Sequence, residues 1–232
     1  MPDKSDFNFY ADKYNKTLNH ALLASGESSL YFAQARINWT SKLISKQRST
    51  TEVNNIMDFG CGIGASAQIL ANHFSSAKVI GVDPSKNSID IAKKNNSQEF
   101  EFYLNSEFTS SNSMNMVYCN GVFHHIPISQ RVSAVNYIKN SLSPSGILAV
   151  WENNHWNPGT RYIMKKCPFD IDANTLSHIL FQKILEENGF EIMVVNFLFI
   201  FPRILKLFRP LEKYLCRIPL GGQYLILAKI KK

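Results

Sequence analysis

One stretch restricts this chain more than any other: Ile56-Met57-Asp58-Phe59 running into Gly60-Cys61-Gly62-Ile63-Gly64. Four residues of strand character meet three glycines at alternate positions, and an amphipathic segment over 65–73 follows. Glycine belongs where the backbone takes positive φ or meets a ligand with no Cβ in the way. A strand, a glycine turn and a helix in that order form half of a βαβ unit. Its amide groups and helix N-terminus face a cofactor.

The alternation continues along the chain. Strand-like runs fall at 55–59, 78–82, 100–104, 114–118, 147–151, 192–201 and 223–229. Helical spacing fills 65–73, 88–94, 130–142 and 175–188, with Gly189 at a C-cap position. This order predicts an α/β fold, a doubly wound and mostly parallel sheet with helices on both faces. The last two strands have no ordinary crossover helix between them, so an antiparallel ending is expected. The first fifty residues carry helical spacing through Tyr10, Tyr14, Leu18, Leu22, Phe32, Ile37 and Leu43, broken at Ser25-Gly26. They are expected to form an N-terminal helical cap. The expected organisation is one domain over 1–232: cap 1–50, cofactor-binding core 51–155, and acceptor-side elements 156–232 with a basic insert at 202–222.

Charge narrows the function classes. The chain carries 25 Lys+Arg and 18 Asp+Glu. From Ile200 onward there are eight basic residues and one acid, Glu212, which leaves 17 of each sign in 1–199. A neutral body with a basic C-terminal patch argues against nucleic acid as the partner. The start Met-Pro-Asp-Lys-Ser-Asp reads as no signal peptide. The longest apolar run, 192–201, is about half of the ~20 residues a membrane-spanning helix needs. Cys61, Cys119, Cys167 and Cys216 lack metal or disulfide spacing. Reduced thiols, no metal site and a cytoplasmic location are the expectations.

Two acids separate the cofactor classes. Asp58 ends the first strand and points into the crevice, where it would repel a dinucleotide pyrophosphate and attract an amino group beside a sulfonium. Asp83 ends the run Val79-Ile80-Gly81-Val82 and has the position of an acid that accepts both ribose hydroxyls.

With these residues the chain resembles the class I S-adenosylmethionine-dependent methyltransferases, particularly their small-molecule subgroup. The resemblance covers about residues 50–155. It rests on Asp58 through Gly64, on Gly81-Val82-Asp83, on Val117-Tyr118-Cys119-Asn120-Gly121-Val122-Phe123-His124-His125-Ile126, and on Leu142-Ser143-Pro144-Ser145-Gly146-Ile147-Leu148. It implies a seven-stranded sheet whose last strand is antiparallel, with S-adenosyl-L-methionine as cofactor. It puts Asp58, Gly60, Cys61, Gly62 and Gly64 at the methionine part, Asp83 and Pro84 at the ribose, and Asn120 and Gly121 alongside. An acid is common near adenine in the family; here the choice lies among Asn105, Ser106 and Glu107. Relatives close a cap over the cofactor, which makes Tyr14 and Arg36 the candidates from the first fifty residues.

The acceptor side is read from residue chemistry. His124 and His125 follow the fourth strand, where ligands sit beyond strand carboxyl ends, and a histidine titrates near working pH. They are the candidate general bases. Trp151 to Arg161 gathers aromatics, amides and charges after the fifth strand, with Glu152, Asn154, Trp156 and Arg161 as candidate contacts to a hydroxylated small molecule or a lipid- or sugar-linked metabolite. The segment 167–170 reads as a turn. The competing expectations are an RNA or protein methyltransferase and a binder that has lost transfer. Over 202–217 an apolar arc (Ile204, Leu205, Leu207, Phe208, Leu211, Leu215) opposes a basic one (Lys206, Arg209, Lys213, Arg217). The first expectation is a helix packed on its own domain, kinked or split at Pro210; the second is a lid touching an anionic membrane.

Overall fold

Period-two burial makes the strand-like runs into a two-faced sheet. In β1 (Asn55–Phe59), Ile56 packs into one apolar cluster while Met57 and Phe59 pack into another. A strand buried on both faces belongs in the middle of a parallel sheet. The structure, a computed structural model, describes residues 20–46, 52–96, 99–109, 112–170 and 173–231. The remaining strands are β2 (Lys78–Asp83), β3 (Glu101–Leu104), β4 (Met114–Asn120), β5 (Leu142–Asn153), β6 (Phe190–Leu198) and β7 (Gln223–Ile230). They form one seven-stranded sheet in the order β3-β2-β1-β4-β5-β7-β6. Strand β7 runs antiparallel to both β5 and β6, and the other pairings are parallel, as expected from the missing crossover. The order reverses between β1 and β4, which opens a crevice at their carboxyl ends.

Helices cover both faces. On one side α1 (Ser29–Ser45), α2 (Ala67–His73) and α3 (Lys86–Asn95) bury Ile37, Leu70 and Ile89 against Ile56, Met116 and Trp151. On the other, α4 (Arg131–Ser141) buries Val135 and Ile138 against Val117 and Leu148. Two more helices follow, α5 (Pro158–Lys166) and α6 (His178–Glu187), the latter burying Phe181 and Leu185 on that same side. Ser28, Ser85, Asn157 and Ser177 each accept a backbone N–H at a helix start. The Ser177 cap starts α6 three residues later than the spacing implied.

A buried hydrogen bond helps tie helix α1 to the sheet: the Trp151 indole N–H donates to Thr40 Oγ1 at 3.0 Å, and Thr40 donates to the Arg36 carbonyl at 2.9 Å. Thr40→Val keeps the shape and orphans the indole N–H. Urea unfolding should show a loss of about 1–3 kcal/mol; an unchanged midpoint would mean that this bond contributes nothing.

Residues 158–166, where the sequence spacing places no element, form a helix, because Asn157 caps it and Pro158 takes its first position. One expectation is corrected. The basic insert is a 3-10 helix over Arg203–Leu211 followed by the short α7 (Glu212–Leu215), and its break lies at Leu205 rather than at Pro210. Nor does its apolar arc pack inward: Ile204 is 89% and Leu207 85% exposed. Polar anchors set its orientation instead. Glu212, buried, accepts the backbone N–H groups of Phe199, Ile200 and Phe201 at 3.1, 3.0 and 3.1 Å. Among the described residues no helix is long and apolar enough to cross a membrane.

Candidate cofactor and acceptor site

The glycine turn lies where β1 ends. Gly60 has φ 74, and a Cβ there would collide with the Val122 side chain; Gly62, at φ 53, faces open space. A backbone this bare lets a ligand come close. The Gly62 N–H donates to Asp83 Oδ2 at 2.9 Å and the Ser85 N–H to Asp83 Oδ1 at 2.8 Å. Each Asp83 oxygen keeps a second lone pair for a hydroxyl. Burial raises the Asp83 pKa, against the pull of those two amides.

Asp58 is in a harsher position. It is 3% exposed, and its Oδ2 has no hydrogen-bond partner. Burial, and then the neighbouring Asp83 charge, push its pKa up to about 7. A desolvated carboxylate with an orphaned oxygen is completed by a cationic donor. Asn120, at the end of β4, likewise has a buried Oδ1 without a partner. One cavity of about 1200 Å³ is lined by Asp58, Gly62, Asp83 and Asn120, and also by His125 and Asp170. The residues present therefore fit a ligand with a ribose at one point and an ammonium at another.

Beyond β4 the two histidines meet a pair of carboxylates. His124, 3% exposed, has Nδ1 2.6 Å from Glu152 Oε2 and Nε2 3.3 Å from Asp170 Oδ1. His125 Nε2 is 3.5 Å from the same Asp170 oxygen. Burial opposes charge on His124, but the Glu152 and Asp170 carboxylates outweigh it and push its pKa up to about 10. Glu152, although buried, is held below the ordinary carboxylate range by the His124 charge and by the Phe123 N–H at 2.7 Å. His125 goes the other way, down to about 4, through burial and then the His124 charge. Near neutral pH, then, His124 is an imidazolium bridging two carboxylates and His125 is a neutral imidazole. Among the described residues His124, His125 and Asp170 also form the grouping with metal-ligand chemistry, one ligand atom of each lying within 4.8 Å of the others. The proton on His124 already satisfies that geometry.

The other candidates divide clearly. Arg36, Gly60, Cys61, Pro84 and Gly121 line the cavity. Arg36 donates to Gln223 Oε1 at 2.9 Å and keeps a buried Nε without a partner. Tyr14 lies outside the described residues. Gly64 packs against the Phe102 ring and is not part of the lining. None of Asn105, Ser106 and Glu107 lines the cavity; Ser106 and Glu107 are exposed, and Asn105 has a buried, partnerless carbonyl oxygen. Glu152 is hydrogen-bonded to His124 and is not part of the cavity wall. Asn154 donates to the Pro219 and Gly221 carbonyls, Trp156 packs edge-on against His178, and Arg161 is exposed; none of the three lines the cavity. The turn residue Asp170 was not anticipated as a partner of the histidines, since no spacing rule joins it to them. Thr160 and Tyr162 on α5 also line the cavity, and their signal, Asn157-Pro158 as a helix start, is visible in the sequence.

Residues 56–146 match the family model described as a methyltransferase domain, from β1 through the histidine pair to the head of β5. A trans-aconitate 2-methyltransferase of Variovorax paradoxus is 27% identical over 117 residues, 49% of this chain and 44% of the relative. The chain spans about half the length of the curated relatives it matches. Among solved structures, a chain from the complex between the Haloferax volcanii Trm112 methyltransferase activator and a methyltransferase superposes with a TM-score of 0.65 at 14% identity, covering 98% of each chain. A TehB-like SAM-dependent methyltransferase from Corynebacterium glutamicum gives 0.60 at 17% identity, over 96% of this chain and 98% of that one. At these identities the two structures speak for the fold.

Proposed function

The chain belongs to the class I S-adenosylmethionine-dependent methyltransferases, and from that premise we propose that it methylates a hydroxyl group of a small molecule or of a lipid- or sugar-linked metabolite. The observation that carries this reading is a single cavity with two chemistries. Its wall includes the orphaned Asp58 carboxylate and the bare Gly62 backbone, and also His125 beside Asp170.

In this reading Asp58 holds the cofactor's ammonium, Asp83 its ribose hydroxyls and Arg36 its carboxylate. Bound there, S-adenosylmethionine supplies a methyl group already activated on a sulfonium. The remaining work is positioning and exclusion of water. His125, neutral down to about pH 4, accepts the hydrogen bond of the acceptor hydroxyl and receives its proton as the bond to the methyl forms. Asp170 orients that imidazole and stabilises the charge it gains. His124 is already protonated and has no free lone pair, so it serves as the cation that fixes Asp170 and Glu152. With Arg36 assigned to the cofactor and Arg209 paired to Glu27 at 2.8 Å, the acceptor side sets the single His124 cation against the Glu152 and Asp170 carboxylates. That excess of negative charge favours an uncharged acceptor group over a carboxylate.

The test is methyl transfer from methyl-labelled S-adenosylmethionine into metabolite and lipid extracts, with labelled products identified by mass. His125→Ala should lower turnover by roughly 100-fold, within the usual range for a general base, and leave S-adenosylhomocysteine affinity unchanged. The wild-type rate should show no histidine-like step near pH 6.5. Full turnover in His125→Ala would remove the residue from the chemistry.

A further inference from the structure

The segment after β6 is built inside out for a surface helix. Its acid is turned inward: Glu212 is the only Asp or Glu in 202–222, and it is buried on three backbone amides. Arg209 is turned inward too, donating to the Phe201 carbonyl at 3.2 Å and to Glu27 at 2.8 Å. What faces outward is apolar and cationic. Ile204 and Leu207 are 89% and 85% exposed and Tyr214 73%, with Phe208 and Leu211 about half exposed. Arg203, Lys206, Lys213 and Arg217 are exposed among them. A surface with large apolar side chains, four cations and no acid has an electrostatic complement in a negatively charged apolar layer. A second copy would oppose four cations with four cations, which argues against self-association through this face.

The inner side of the same insert borders the cavity. Pro202 and Arg209 of the insert belong to the cavity lining, as does Phe201 just before it. We propose that residues 203–218 dock on an anionic lipid bilayer, so that the cavity opens at the membrane surface and takes an acceptor group carried on a lipid. This deepens the methyltransferase reading and rests on it for the acceptor. The docking itself depends only on the surface described.

The experiment is co-sedimentation of the full chain with vesicles of phosphatidylcholine alone and of phosphatidylcholine with one third phosphatidylglycerol, at low and physiological salt. Binding should require phosphatidylglycerol and weaken with salt. Lys206→Ser with Lys213→Ser should lower the partition coefficient roughly 30-fold, at about fivefold per basic side chain. Ile204→Ser with Leu207→Ser should lower it by about tenfold or more. All four residues lie off the cavity wall, so S-adenosylhomocysteine affinity, measured by calorimetry on the same preparations, should stay at the wild-type value and report an intact fold. Wild-type protein that stays in the supernatant at low salt overturns the proposal, as does an Ile204→Ser, Leu207→Ser variant that binds like wild type. Dimers that this variant dissolves, with no vesicle binding, would identify a second copy as the occupant and overturn it equally. Vesicle binding by a protein with no S-adenosylhomocysteine affinity would remove the methyltransferase reading and leave the docking intact.

Discussion

Asp58→Asn should lower S-adenosylhomocysteine affinity by roughly 30- to 1000-fold, corresponding to the ~2–4 kcal/mol typical of truncating one partner of a buried charged hydrogen bond. The same substitution should raise the stability of the ligand-free protein at pH 8. The two signs have one cause. Asp58 is buried with an orphaned oxygen and lies close enough to Asp83 for its pKa to reach about 7. A carboxylate whose folded pKa stands above its unfolded value binds an extra proton in the folded state between those two values. Ligand-free stability therefore declines as pH rises from about 4 to 7, and Asn removes the decline. Ligand affinity runs oppositely, because an ammonium needs the ionised carboxylate: from pH 8 to pH 6 the wild-type affinity should fall by up to about tenfold, and the variant should be flat. Calorimetry at three pH values measures this. An affinity within threefold of wild type, or a variant that keeps the wild-type pH slope, would show that Asp58 does not meet the ligand's charge.

That this carboxylate was legible in the sequence, while its counterpart across the cavity was not, follows from how each is specified. Asp58 sits within two residues of the glycine turn, so strand direction and the turn fix its place locally. Asp83 is legible for the same reason at the end of β2. The sheet was legible because the central strands alternate between two apolar faces, and the antiparallel ending followed from a missing crossover. Asp170 reaches the histidines only through the packing of α5 and the 3-10 turn that follows it, which no local pattern encodes. The residues from Trp151 to Arg161 were overread for the converse reason. Their composition resembles a binding loop, yet Asn154 holds the chain at Pro219 and Gly221, and Arg161 lies on the outer side of a helix. The insert was misjudged because a helical wheel finds an apolar arc without saying which way it faces. Glu212 and Arg209, two polar anchors with partners distant in sequence, make that choice.

The largest stability effect is expected at Glu152. Its Oε2 lies 2.6 Å from His124 Nδ1 and its Oε1 accepts the Phe123 N–H, all of it buried. Glu152→Gln keeps the volume and removes the countercharge, leaving a buried imidazolium that is either unpaired on one side or forced to deprotonate. Breaking a buried pair in this way costs about 3–5 kcal/mol, visible in urea or thermal unfolding. The pH dependence identifies the mechanism. His124 has its folded pKa raised to about 10 above an unfolded value near 6.5, so its contribution is fully present below pH 6.5 and is lost as pH rises through 10. Wild-type melting temperature should decline across that window, and the decline should vanish in Glu152→Gln. His125 supplies a second readout. Where His124 deprotonates, His125 loses both the Glu152 charge and the larger His124 charge that holds it down, so the His125 pKa should rise from about 4 when followed by NMR. Its proton would then compete with the acceptor's near neutrality, and turnover should acquire an acid limb that the wild type lacks. A Glu152→Gln protein with wild-type stability and an unmoved His125 titration would mean that His124 is neutral in the native protein, and that Asp170 alone orients the base.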